Sequence, residues 1–198
     1  MNGLLETELL QTAARLVVEE GLEYGAAKHR AVKQLKLPAR TALPDNESLE
    51  AAVREYIALF CADTQPAELA ALRDLALVWM DRLQEFQPLI GGAIWHGTAT
   101  RLSDIYLQLF SDDPKAVEIV LLNQGVDYEA TRVSGLQGAT DALSIHAWCE
   151  GLGEDVGVHL LVNDTLAQRG ALQPDSQGRR PRGNAAQLRE RMQPDAAS

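Results

Sequence analysis

Apolar residues in the first half of the chain recur at helical spacing. Gly21 follows the first apolar stretch and is a good helix terminator, and Pro66 lies where the fourth stretch begins. Asp45 or Asn46 is placed to cap the third stretch. The apolar residues repeat every three or four positions, the period of an amphipathic helix, over residues 5–17, 24–35, 49–60 and 69–86. The pattern therefore predicts four helices.

After Pro88 the pattern changes from helical to alternating. Ile105, Leu107 and Leu109 alternate with polar or aromatic neighbours, which is typical of a strand buried mainly on one face. A short helix is predicted over residues 116–123, after Pro114. Further strands are predicted over residues 126–133, 141–150 and 156–163.

These elements predict an α+β fold in three segments. Residues 1–87 are expected to form a helical region. Residues 88–164 are expected to form a small mixed sheet with helices packed on one face, and residues 165–198 an arginine-rich tail with a short helix. No apolar stretch reaches the roughly 20 residues that span a bilayer, and no basic leader precedes an apolar run. Cys61 and Cys149 are too few for a disulfide scaffold or a cysteine-rich zinc module, so a cytoplasmic protein is expected.

The distribution of charge along the chain bears on which ligands it can bind. Its 198 residues carry a net charge of −10. Residues 89–164 hold 11 acidic and 3 basic side chains, whereas residues 165–198 hold 6 basic and 3 acidic ones. Because nucleic-acid affinity depends on cations that neutralise phosphates, this acidic segment disfavours general nucleic-acid binding. Because Arg179, Arg180 and Arg182 are positively charged, the tail is expected to fold back toward the acidic segment, residues 89–164.

Basic residues also cluster within the helical region. Two interpretations stay open for this cluster: a contact surface for phosphate or an acidic partner, or a solvated helix face that balances nearby glutamates. A protein partner is expected to bind through the helical region. The cluster consists of Lys28, His29, Arg30, Lys33 and Lys36.

Glycines and a carboxylate lie close together between residues 89 and 110. A predicted strand runs into Gly91 and Gly92, and a short turn of helix follows. Gly97 comes next, and then Asp104 at the start of a second strand. Glycines let a phosphate approach the backbone amides. A carboxylate on the neighbouring strand can hold a Mg²⁺ ion that bridges phosphates.

This stretch resembles the signature of the nucleotidyltransferase superfamily related to DNA polymerase beta. Members read Gly-Ser after a strand, then Gly, then Ser-Asp-x-Asp on the next strand. Gly92–Ala93 matches the first pair at the usual spacing, and Gly91–Gly92 matches it with one extra residue and is preferred. The resemblance covers Pro88–Asn163. It implies a nucleotidyltransferase-like fold, Mg²⁺ as cofactor, Asp104 as catalytic metal ligand, and a nucleoside triphosphate near Gly91, Gly92, Gly97, Thr98 and Ser103.

The second carboxylate of the family pattern is missing from this chain. Tyr106 stands at its position, and a neutral phenol is a poor ligand for a hard cation. The family's third carboxylate lies on a later, neighbouring strand. We expect that strand to be residues 141–150, where Ser144 or His146 occupies the position. The predicted metal ligands are therefore Asp104 and His146, with His96 as the alternative histidine.

Asp104 has three interpretations. It is the ligand of a one-metal enzyme, a relic in a fold that binds without catalysis, or a cap, with Ser103, of the turn before the strand. The enzyme interpretation predicts transfer of NMP from a Mg²⁺-bound nucleoside triphosphate to an acceptor hydroxyl. The rival is a catalytically degenerate nucleotidyltransferase fold that binds a ligand or a protein partner. Tyr106 favours the rival.

Overall fold

The computed structural model describes residues 2–136 and 138–194. The chain divides into two compact units, Met1–Pro66 with Thr98–Leu102 and Ala67–Gly97 with Ser103–Ser198. The three segments expected from the sequence stay a prediction. In the described part of the chain, no helix combines the length and the apolar character needed to cross a bilayer.

Three helices build the core of the first unit. They are α1 Asn2–Glu20, α2 Tyr24–Gln34 and α3 Asn46–Phe60. Helix α1 packs against both of the others. Leu9, Leu16 and Leu49 are among the side chains they bury. The Tyr56 phenol donates a hydrogen bond to the Glu19 carboxylate, which joins α3 to α1 and raises the pKa of Tyr56 to about 12. The bounds of these three helices are close to those of the first three stretches predicted from apolar spacing.

Asp45, rather than Asn46, caps α3. Its carboxylate accepts a hydrogen bond from the Ser48 backbone amide at 2.7 Å. This bond satisfies one of the amides that have no partner within the helix. It favours the ionised carboxyl, so it lowers the pKa of Asp45 below its usual value.

Replacing Asp45 by alanine is expected to destabilise the first unit at neutral pH. Because the pKa of Asp45 is lower in the folded chain, its stabilisation is complete above the unfolded pKa of about 3.9. The stabilisation is lost as the pH falls through the folded pKa. Urea unfolding of both proteins should therefore show a stability difference that shrinks between pH 7 and pH 3. A difference that stays constant over this range would contradict the assigned role.

The second unit is built around a sheet. Helix α4 Gln65–Arg82 starts at the end of the first unit and continues into the second, and a 3₁₀ turn follows at Gln84–Phe86. The strands are β1 Leu89–Gly91, β2 Ile105–Phe110, β3 Glu129–Gly135, β4 Gly138–Cys149, β5 Glu154–Asn163 and β6 Arg182–Gly183. The remaining helices are α5 Gly92–His96, α6 Ala116–Asn123, α7 Ala167–Ala171 and α8 Ala185–Met192.

The six described strands form one mixed sheet in the order β3-β4-β5-β2-β1-β6. Strands β2 and β5 run parallel, and the other neighbouring pairs are antiparallel. Ile105, Leu107 and Leu109 are fully buried on one face of β2, as their alternation predicts. The expected α+β class with a mixed sheet is confirmed.

The tail folds back to the sheet, as expected, and it does so by strand pairing. Gly183 of β6 pairs with Ile90 of β1. Arg179 forms an ion pair with Asp175, which lies in the tail itself. Backbone pairing with β1 is therefore one of the contacts that hold the tail at this edge.

Candidate functional site

Asp104 lies immediately before β2, and the strand beside it is β5. The sheet order places β5 on one side of β2 and β1 on the other. In the parallel pair, Tyr106 is the register partner of His159. Side chains at paired positions point to the same face of a sheet. Asp104, Tyr106 and His159 therefore share one face.

A chain of hydrogen bonds runs across this face to Asp104. His159 Nε2 lies 3.1 Å from Asp104 Oδ2, and His159 Nδ1 lies 2.6 Å from the Ser144 hydroxyl. The Ser144 hydroxyl also contacts the Thr131 hydroxyl. The chain links β3, β4, β5 and the start of β2.

The chemistry of the groups fixes the direction of this chain. A carboxylate only accepts hydrogen bonds, so His159 Nε2 carries the proton that it donates to Asp104. In the neutral ring Nδ1 then accepts from Ser144, whose oxygen accepts from Thr131. Ser144 is only 7% exposed, so its hydroxyl serves to orient the imidazole and is not open to a substrate.

Gly157 on β5 makes room for the Asp104 carboxylate. A Cβ added to Gly157 would lie 2.8 Å from both Cγ and Oδ1 of Asp104. Atoms do not approach so closely without displacement. Any larger residue at this position would push the carboxylate away from His159, so the glycine is a structural requirement of the Asp104–His159 contact.

Tyr106 packs against the same imidazole. Its ring lies 4.7 Å from the His159 ring, between centroids, with an angle of 27° between the planes. Stacked rings at this separation attract each other. The phenol of Tyr106 thus helps to fix the position of His159.

The glycine turn forms where the sequence places it. Strand β1 ends at Gly91, Gly92 begins α5 with φ of 62°, and Gly97 follows α5 with φ of 90°. An added Cβ on Gly91 would lie 2.8 Å from Cγ of Arg182, whereas one on Gly92 would meet no described atom within 4 Å. The arginine stem therefore covers Gly91, while Gly92 is open. Burial lowers the pKa of Arg182.

The other predicted site residues lie at separate places in the two units. Thr98 is buried within the first unit, whereas Ser103 directly precedes Asp104 in the second. His146 is exposed on β4 and pairs with Gly157. The metal roles assigned to Asp104 and His146 stay predictions.

The expectation that the strand over 141–150 lies beside β2 is wrong. Strand β5 is inserted between β4 and β2, because β4 and β5 form a hairpin whose second strand takes the neighbouring place. The residue on the neighbouring strand that contacts Asp104 is consequently His159. The sequence carries a signal for it, since Gly157 and His159 alternate with buried Val158 and Leu160.

The donor set around Asp104 does not fit a pair of magnesium ions. Mg²⁺ demands nearly octahedral oxygen coordination, from carboxylates and phosphates above all. Here one carboxylate is accompanied by the phenol of Tyr106 and the imidazole of His159. Over residues 2–136 and 138–194, no group of three or more His, Cys, Asp and Glu side chains is arranged to hold a metal ion. The Mg²⁺ expected from the family resemblance stays a prediction.

Comparison with known proteins finds only distant similarity. No protein-family model and no curated protein sequence matches the chain. Two solved structures of the Cid1 poly(U) polymerase are similar to it, one with MgGTP bound and one described for its RNA terminal uridylyl transferase activity. Identity is 18% over 53% of this chain for the first and 17% over 57% for the second, with a TM-score of 0.32 for each. The chain spans 34% and 37% of their lengths. Similarity at this level carries no argument about fold or activity.

Proposed function

We propose that this chain is a catalytically degenerate nucleotidyltransferase-like protein that binds a nucleoside triphosphate without two-metal transfer. One observation carries the proposal. Tyr106 stands at the position that the family resemblance assigns to a second carboxylate, and it stacks on His159, its register partner on the neighbouring strand. Two-metal phosphoryl transfer depends on carboxylates that hold cations against the developing charge. A site with one carboxylate lacks most of that stabilisation.

The glycine turn and the tail supply what a phosphate ligand needs in the absence of metal. Gly92 leaves its backbone open to a close approach. The Arg182 stem passes over Gly91, and its guanidinium donates to the Ala171 carbonyl at 3.2 Å, which holds a positive charge near the turn. Arginine is the side chain best suited to bind phosphate oxygens in pairs. We therefore assign the phosphate contact to Gly92 and Arg182.

A second candidate is the one-carboxylate enzyme that transfers NMP from a Mg²⁺-bound triphosphate to an acceptor hydroxyl. The exposure of Asp104 favours it. Although His159 contacts one of its oxygens, the Asp104 side chain remains 45% exposed. A metal-bound triphosphate can therefore reach it from solvent.

Titration calorimetry with a non-hydrolysable nucleoside triphosphate tests the proposal. Binding is expected to be equal in MgCl₂ and in EDTA, and Asp104→Asn is expected to leave it unchanged. Arg182→Gln is expected to weaken binding about tenfold, since it removes a charge-assisted phosphate contact. Arg180→Gln is the matched control, because this neighbouring side chain is exposed, and it should bind like the wild type.

Three other results would count against the proposal. Transfer of labelled NMP by the wild type, lost in Asp104→Asn, would establish the one-carboxylate enzyme instead. Binding that requires Mg²⁺ and Asp104 would show that the site holds a metal ion. No binding in either buffer would reject both nucleotide hypotheses.

A further inference from the structure

The basic cluster of the helical region does not act as a single surface. Lys28 is buried, and its ammonium group donates to the Pro44 carbonyl at 2.7 Å. This bond ties the loop after α2 to the helix. Arg30 forms an ion pair with Glu20 at 2.8 Å. The cluster therefore contains one structural lysine and one arginine that is already neutralised.

The remaining basic residues of the cluster are exposed. Within the described residues, His29, Lys33 and Lys36 form no ion pair. Arg40, in the following loop, is likewise exposed and forms none in this part of the chain. Lys33, Lys36 and Arg40 each carry a positive charge in a chain whose net charge is −10. They form a local positive field within an acidic molecule.

A groove of about 600 Å³ lies among these cations. Its size is in the range of pockets that hold ligands. His29, Arg30 and Lys33 line it from α2, and its apolar lining includes Val32 and Leu37. A cationic rim over an apolar floor complements a ligand that carries both carboxylates and an aliphatic or aromatic anchor.

The lining also discriminates between classes of anionic ligand. His29 carries the single aromatic ring in the groove's lining, so successive nucleobases would find no row of stacking platforms there. Single-stranded nucleic acids gain much of their affinity from such stacking. An acidic peptide needs only the cations and one apolar contact, and both are present.

We propose that this groove, formed by α2 and the loop that follows it, binds an acidic peptide segment of a partner protein. Asp and Glu side chains of the partner contact His29 and Lys33, and one apolar side chain enters over Val32 and Leu37. The groove lies wholly within the first unit. The proposal is therefore independent of the function assigned to Asp104, and the two can fail separately.

Selection from a random 12-residue peptide library on the full-length protein tests this inference. The selected peptides are expected to be rich in Asp and Glu around one Leu, Ile, Met or Phe. Their affinity, measured by fluorescence anisotropy, is expected to fall about tenfold in Lys33→Glu and to decrease with salt, because charge reversal at a rim turns attraction into repulsion. Lys33→Gln, which keeps helix propensity, should show a smaller loss and guards against a folding defect.

Lys115→Glu provides the matched control, since it makes the same charge change in the second unit. It should bind the selected peptides like the wild type. The inference would be overturned by peptides that bind Lys33→Glu as well as the wild type, or by a selection without acidic enrichment. Tighter binding of a single-stranded oligonucleotide, lost in Lys33→Glu, would assign the groove to nucleic acid and would also overturn it.

Discussion

Replacing Trp95 by alanine is expected to detach the tail from the sheet and to destabilise the second unit by about 3–5 kcal/mol, the usual cost of losing a large aromatic from a core. Trp95 is 2% exposed, and its indole nitrogen donates to the Arg180 carbonyl at 2.8 Å. Its ring lies against Gly183, where an added Cβ would come within 2.2 Å of it. The Arg191 guanidinium lies 3.8 Å from the ring centroid. A single side chain thus contacts the tail at three points.

Urea unfolding and trypsin cleavage measure the two parts of this prediction. Cleavage after Arg179 and Arg182 should accelerate in Trp95→Ala under native conditions, because the tail no longer pairs with β1. Trp148→Ala is the matched control, since Trp148 is 63% exposed and its loss should change stability by only about 0.5 kcal/mol. Equal cleavage rates in the two variants would refute the anchoring role of Trp95.

The parts of this fold that local chemistry determines are the parts that the sequence predicts well. Gly21, with φ of 68°, lies directly after α1, and Asp45 caps α3 through a bond that spans three residues. The sequence pattern predicts the short helix of the tail over residues 185–192, which are the bounds of α8, and Asn184 and Gln187 form a capping box at its start. Each of these signals lies within four residues of the boundary that it sets.

The position of His159 depends on information that is not local. Alternation marks it as a residue on the polar face of a strand, but only the sheet order shows that β5, and not β4, lies beside β2. Strand β6 is missed for a related reason. It has two residues, too few to show a period, and it is held by backbone pairing with β1. Sequence patterning therefore predicts the strands of the candidate site better than it predicts which strands lie next to each other in the sheet.

The double variant Tyr106→Asp/His159→Asp is expected to create a divalent-cation site that the wild type lacks. Tyr106 is two residues from Asp104 along β2, and His159 is its register partner on β5, so the new carboxylates would join Asp104 on one face. Three carboxylates supply the oxygen ligands that Mg²⁺ and Mn²⁺ prefer. Mn²⁺ binding, followed by electron paramagnetic resonance, should change from undetectable to saturable.

The same variant should be less stable without metal and should recover when metal is added. Removing the imidazole leaves the buried Ser144 hydroxyl without its histidine partner, which costs about 1–3 kcal/mol, and the three carboxylates repel one another. A cation that binds only the folded chain reverses the loss in proportion to its concentration. The matched control is Tyr106→Asp/His146→Asp, which adds the same charge on the same face, although β5 separates His146 from β2. Addition of MnCl₂ should therefore raise the midpoint temperature of thermal unfolding in the first variant and leave it unchanged in the control. Equal shifts of the midpoint in both variants would mean that the added negative charge alone determines metal binding. The placement of the three carboxylates at positions 104, 106 and 159 would then have no role.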